Sequence, residues 1–193
     1  IIIIQSSLAQ QLITSTITIC RLLAIANINI LLQGIEEHRG VLAEDEERIY
    51  EGEAYALRAF LHFDLLRLFG KSYVSGASEK AIPYVRKISK EVTPLATVSE
   101  VIDLVVEDLE KAVNLLKEDP VKTGETSSAF LGTRNYHFNY YAVRALMARV
   151  YLYKNDKANA LKNAQEVIRS NQYPWVKKGQ VATTTRNSRD GIF

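Results

Sequence analysis

Methionine occurs once, at Met147, and cysteine once, at Cys20, in a chain of 193 residues. A single cysteine excludes an internal disulfide framework and any metal site built from several thiolates. Glycine and proline are also scarce, at nine and four residues. So few breakers favour long helices and exclude a many-stranded sandwich, which needs a turn every ~8–12 positions. Neither sign of charge dominates: 24 Lys and Arg against 22 Asp and Glu leave a formal +2. That balance excludes a dedicated polyanion binder, whose affinity comes from neutralising phosphates, so no nucleic-acid partner is expected. The chain opens on Ile1 rather than on methionine, and it is expected to be part of a longer polypeptide.

Catalytic signals are missing as well. His38, His62 and His137 lie in separate segments without ligand spacing, so no metal is expected. There is no glycine-rich phosphate loop and no G-x-S-x-G elbow. The expectation is a protein with no cofactor that is not an enzyme. His62 is read as a packed or hydrogen-bonded side chain, and Arg58, Asp64 and Arg67 as an ion pair along one helix.

What the chain has is apolar residues, 47% of the total, enough for a buried core. The first 32 residues are strongly apolar, but no charge precedes Arg21, so the basic start of a signal peptide is absent. Gln10, Gln11, Arg21, Asn27 and Asn29 interrupt the run, which is costly for a spanning helix. The segment is read as a buried helix closed by Gly34 and Gly40. Thr18 and Ile19 before Cys20 make a poor lipoprotein cleavage site, which wants a small residue there. Glu44, Asp45, Glu46 and Glu47 read as the solvated first turn of the next helix, where the macrodipole favours acids.

In that helix Ala54, Leu57, Leu61, Leu65 and Leu68 recur at helical steps, and Ala56, Phe60 and Phe63 add a second apolar face. A helix apolar on two faces is packed from two sides. Gly70 reads as its C-terminal stop. A long connection over residues 71–93 follows, with Ile82-Pro83-Tyr84-Val85 extended. Thr97 and Glu100 form a capping-box pair opening a helix that ends at Asp119-Pro120. After a second polar loop over residues 121–135, two helices flank Lys154-Asn155-Asp156. Their length is that of a tetratricopeptide unit, with period ~34 residues. Met147, Ala148 and Tyr151 face Ala160, Ala164 and Val167. The fold class expected is therefore all-α, tetratricopeptide-like helical hairpins in an α-α superhelix with long connecting loops. A hairpin of that type needs neighbours. One domain over residues 1–193 is expected, with a loop-rich tail from about residue 174.

Residues 52–70, GEAYALRAFLHFDLLRLFG, resemble the signature helix of the SusD/RagB family, E-x-x-x-L-R-A-x-x-x-F-x-L-x-x-x-F/Y-G, through Glu53, Leu57, Arg58, Ala59, Phe63, Leu65, Phe69 and Gly70. Ile25-Ala26-Asn27 with Ile30-Leu31-Leu32 looks like the preceding family helix with its Asn, and Ile82-Pro83 like the extended piece that follows the signature. Residues 141–153, YAVRALMARVYLY, resemble the family's A-L-L-A-R-V-Y-L-Y helix. Asp190-Gly191-Ile192-Phe193 stands where the family has E-x-I-F. The resemblance implies the N-terminal helical part of a surface-exposed, SusD-like outer-membrane lipoprotein. It implies a non-enzymatic protein that binds an oligosaccharide or a peptide and delivers it to a TonB-dependent, SusC-like transporter. Attachment to the membrane would be only through a lipid anchor absent from this chain. The family's ligand-contacting loops do not map onto this sequence. Sugar recognition needs aromatic faces and planar polar groups. Tyr73, Tyr84, Tyr136 and Trp175 are the loop aromatics able to supply faces. The alternative is a protein–protein scaffold whose hairpins grip a partner through Asn139, Tyr140 and Arg144.

Overall fold

The computed structural model describes residues 2–123 and 134–173. Among them the chain forms seven helices and one small sheet. In chain order these are α1 (Ile2–Glu37), α2 (Glu44–Phe69), α3 (Tyr73–Gly76), β1 (Lys80–Pro83), β2 (Leu95–Thr97), α4 (Val98–Leu115), α5 (Pro120–Thr123), a 3₁₀ turn (Arg134–Tyr136), α6 (Tyr140–Tyr153) and α7 (Lys157–Arg169). Trp175 and the segment 190–193 lie outside the described residues.

Local chemistry sets most of the boundaries. The turn between α1 and α2 uses Gly40 at φ +83°, a conformation that costs glycine little. Ala43 gives α2 no side-chain cap, so the acids Glu44 to Glu47 face the positive end of its dipole. Glu47 also accepts from the Gly40 N–H at 2.9 Å and from Arg39 at 2.8 Å. The capping box of α4 is complete: Glu100 N–H donates to Thr97 Oγ1, and Thr97 N–H donates to Glu100 Oε2. Asn139 caps α6 through the Ala142 N–H and Asp156 caps α7 through the Asn159 N–H. Asn155, at φ +64°, makes the turn between them, a backbone state Asn tolerates better than most residues.

The helices stack in order, α1 on α2, α2 on α4, α4 on α6 and α6 on α7. The core lies between α2, α4 and α6. Ala56, Ala59, Phe63 and Leu66 of α2 meet Val98, Val101, Ile102, Val105 and Leu109 of α4, and Val143, Leu146, Met147 and Val150 of α6 complete it. Gly52 of α2 lets the two helices approach closely: a Cβ there would stand 2.7 Å from Leu116 Cγ. The antiparallel pair β1–β2, with an irregularity between Lys80 and Pro83, bridges the chain before α4.

Several expectations are corrected by tertiary contacts. α1 is not buried all round: Ile25, Asn29 and Ile35 face inward, while Ile19, Leu22, Leu23, Ile30 and Leu31 are exposed. In α2 the expected stripe is only partly core: Ala54 and Leu65 are buried and Leu61 is partly buried, but Leu57 and Leu68 are exposed, and the side carrying Arg58, His62 and Leu66 is buried as well. Gly70 stops α2 as expected, but in an extended conformation, with φ −86°. It is needed because a Cβ would meet the Leu66 carbonyl oxygen at 2.8 Å. The connection over residues 71–93 contains α3 and β1. α4 ends at Leu115, and Asp119-Pro120 begins α5 instead of ending α4. Arg58 does not pair with Asp64, which binds Arg21 of α1 at 2.6 Å and lies 3.9 Å from Arg67.

Candidate functional site

The sequence places a charged residue, Arg58, and a histidine, His62, on the buried side of α2, and burial forces each to find partners. Arg58 donates two hydrogen bonds to Asp108 of α4, at 2.7 and 2.8 Å. Its remaining amino group reaches Asn29 Oδ1 at 3.0 Å and the Arg86 carbonyl at 3.3 Å. Asn29 donates to the Val85 carbonyl, and Tyr84 O–H donates to Asp108 at 2.7 Å. His62 closes the circuit: its Nδ1 lies 2.9 Å from the Arg58 carbonyl, and its Nε2 accepts from the Val85 N–H at 3.0 Å. Nδ1 therefore carries the proton of a neutral ring, the form in which one nitrogen donates and the other accepts. The result is a strap, residues 84–86, tied across α1, α2 and α4.

These contacts set the titration behaviour. Burial pushes His62 down to about 4, helped by the nearby Arg58 and Arg86 charges. Burial alone pulls the Arg58 guanidinium down, but the bonds to Asp108 outweigh it and the net direction is up. Burial, and then the Asp108 charge, holds the Tyr84 hydroxyl well above its ordinary value. At the strap's outer edge Arg86 binds Glu107 at 2.6 Å, and Arg86 with Lys111 brings the Glu107 carboxyl down to about 2.

Above the strap lies a cleft of about 470 Å³, within the usual range of small-ligand pockets, ~300–1,000 Å³. Asn29 and Arg58 line it from within the network; Tyr55, Glu51 and Arg39 line one side, and Arg86 and Lys87 the other. Arg86 Nε is buried there without a hydrogen-bond partner. Planar amide and guanidinium groups beside a half-buried tyrosine offer hydrogen bonds and an aromatic edge to a polyhydroxylated ligand. Among the described residues no cluster of His, Cys, Asp or Glu is arranged to hold a metal.

Of the aromatic residues expected to form sugar platforms, Tyr73, Tyr84 and Tyr136 do not line this cleft. Tyr84 is a core residue, stacked on His62 with ring centroids 3.9 Å apart, so its expected role as an open loop face is corrected. Tyr73 begins α3 and packs against the core, and Tyr136 is exposed on the 3₁₀ turn. Trp175 lies outside the described residues. The Asn at work in α1 is Asn29; Asn27 is exposed. Tyr55, Arg86 and Lys87 were missed by sequence reasoning, because no local spacing links α2 to the strap.

The face expected to grip a partner peptide is also used internally. Asn139 is buried as the α6 cap and bonds the Arg134 carbonyl and Tyr173. Tyr140 is buried and accepts from Arg144 at 2.9 and 3.1 Å. Arg144 also holds Asn163 of α7 and lines a groove of about 310 Å³ with Tyr151 and Lys162.

Residues 9–152 match a SusD-like family model described as starch-binding and associating with the outer membrane. The chain is 30% identical, over 124 residues, to SusD-like protein P38 of Formosa agariphila, which covers 64% of this chain and 21% of that relative. It is similar in structure to a SusD superfamily protein of Bacteroides thetaiotaomicron, with 27% identity and a TM-score of 0.68 over 81% of this chain and 32% of that one. A SusD superfamily protein of Bacteroides vulgatus gives 28% and 0.69 over 82% and 35%. A laminarin-binding SusD-like protein shares the fold, at 20% identity and a TM-score of 0.65, over 86% of this chain and 34% of that one. The chain thus spans about a fifth of the curated relative and about a third of the solved chains.

Proposed function

The chain belongs to the SusD-like family, and from that premise we propose that its full-length protein binds a glycan at the outer-membrane surface without catalysis and passes it to a TonB-dependent, SusC-like transporter. The observation that carries the reading is the family match over residues 9–152, whose description is of starch binding at the outer membrane. In this reading the helices of the described residues act as a scaffold that fixes the geometry of ligand-contacting loops. The strap explains how: one arginine, one amide and one histidine hold an extended segment rigidly against three helices. A rigid platform lowers the ordering cost of binding. The cleft above it, with Tyr55, Arg86 and Lys87, is this domain's candidate contribution to saccharide hydroxyl binding. Tyr136, exposed on the 3₁₀ turn, remains a candidate stacking face.

Isothermal titration of the full-length protein against a panel of neutral and charged polysaccharides tests the reading. Saturable binding to at least one glycan is expected, and Arg86→Ala is expected to weaken it severalfold if the cleft takes part. Absence of binding to every glycan, together with no transporter co-purifying, overturns the proposal.

A further inference from the structure

A second groove lies away from the strap, between α4, α6 and α7, with a volume of about 310 Å³. That is the small end of the range for ligand pockets, ~300–1,000 Å³. Its lining combines the apolar side chains of Val113 and Met147 with the ring of Tyr151 and the amides of Asn114 and Asn163. Its charges are Arg144 and Lys162 against Glu110. One wall is held by a chain of internal bonds. Tyr140 O–H donates to Glu166 at 3.2 Å and accepts two hydrogen bonds from Arg144, which donates a third to Asn163 Oδ1 at 3.0 Å. Asn163, only 4% exposed, donates in turn to the Asn159 carbonyl at 2.9 Å. By contrast Asn114 and Glu110 of α4, Tyr151 of α6 and Lys162 of α7 make no hydrogen bond or ion pair among the described residues. Uncommitted donors and acceptors from three helices thus converge on one apolar-lined hollow.

We propose that this groove is a binding site for a short uncharged saccharide, separate from the cleft above the strap. The ligand class rests on the glycan reading, and the place rests on the groove's own residues. A sugar ring has C–H faces and a rim of hydroxyls, each of which donates and accepts. Met147, Val113 and Tyr151 supply apolar and aromatic surface for the faces. Lys162 offers donors, Glu110 acceptors, and Asn114 and Tyr151 both. The wall of Arg144 and Asn163 is already locked by its own bonds, so little ordering is left for the ligand to impose. An anionic ligand suits the groove less well: Glu110 lines it, and Glu166 stands behind Arg144 through the Tyr140 hydroxyl. An extended peptide is also ill suited, because the walls are three helices and present no strand edge for it to pair with.

The test is methyl NMR of the full-length protein carrying ¹³C-methyl methionine. Met147 lines the groove, and its resonance is identified by its loss in Met147→Leu. The probes are maltotriose and laminaritriose, uncharged fragments of starch and laminarin, with trigalacturonate as the charged counterpart. Met147 is expected to shift saturably with at least one neutral trisaccharide, and to do so equally in Arg86→Ala, which alters only the other cleft. Asn114→Ala combined with Lys162→Ala is expected to weaken that binding at least about fivefold. Neither side chain has a partner to lose among the described residues, and a matched circular-dichroism spectrum confirms that the helices are retained. An unmoved Met147 resonance with both neutral sugars, a response to trigalacturonate alone, or a double variant that binds as tightly overturns the proposal. Calorimetry on the same samples separates it from the glycan reading. Heat of glycan binding with Met147 unmoved removes only the groove, whereas a Met147 shift with no transporter co-purifying supports the groove and removes delivery. Silence of every glycan in both measurements removes both.

Discussion

Arg58 and His62 show how a residue's chemistry is decided by where its neighbours come from. An arginine on an apolar helix is read locally as a partner for the nearest acid, and Asp64 is only six positions away. Burial changes the comparison. A guanidinium removed from water needs partners for its donors, and Asp108, Asn29 and the Arg86 carbonyl take four hydrogen bonds from it across three elements. His62 is a sharper case because its burial leaves a measurable trace. Its folded value, about 4, lies below its ordinary 6.5. Between these two values the unfolded chain binds a proton that the folded chain does not. Stability from this residue is therefore complete above pH 6.5 and is lost as pH falls towards 4, in total on the order of 3 kcal/mol. Denaturation midpoints measured from pH 7 to 4 are expected to fall, and His62→Gln is expected to flatten that slope. An unchanged slope in the variant means the proton binds elsewhere.

Elements differ in how far their boundaries are local. α4 is set by its own residues, because a threonine and a glutamate three positions apart close both bonds of its cap and its buried positions follow a helical period. α2 is long and apolar on more than one side, and only the neighbours decide which side is core. Gly52 records that decision. Helix propensity says that alanine there gains about 1 kcal/mol. Packing says the reverse, since the new methyl would overlap Leu116 at the α2–α4 contact, and overpacking costs ~1–3 kcal/mol. Gly52→Ala is therefore expected to lower stability by about 1–2 kcal/mol in urea unfolding, while the same change at Gly34, where a Cβ meets nothing within 4 Å, is expected to be neutral or stabilising. α1 illustrates the opposite limit: its sequence is apolar enough for either burial or exposure, and packing on one side alone leaves the other uncovered.

Over the whole molecule the fold is closed by a second buried cation. Arg134 donates two hydrogen bonds to Asp119, at 2.8 and 3.0 Å, and also binds Glu53 of α2. Asp119 further accepts from the backbone N–H groups of Val121 and Tyr140, so one carboxylate joins the start of α5 to the start of α6. Glu53, the first residue of the family signature, thus fastens α2 to the 3₁₀ turn that precedes α6. Arg134→Met leaves the buried Asp119 and half-buried Glu53 uncompensated. It is expected to cost ~3–5 kcal/mol, read as a lower denaturation midpoint for the whole domain rather than local fraying. If hydrogen exchange shows only α6 and α7 loosening while α2 and α4 keep full protection, the network is not a whole-domain fastening.

Helix content, the α4 capping box, the Asn155 turn and the α6–α7 hairpin were all legible in the chain, because capping and turn chemistry act within a few positions. The family signature was legible too, as an ordered string of residues along α2. What no spacing could reveal was which partner each signature residue takes: Arg58 reaches 50 positions to Asp108, and Glu53 reaches 81 to Arg134. The same distance hid the cleft, whose lining comes from α1, α2 and the strap. It also removed Tyr84 from the candidate sugar faces by placing it on His62. Periodicity can mark a surface as apolar, but only the packing of separate helices decides which such surfaces become interior and which buried charges meet.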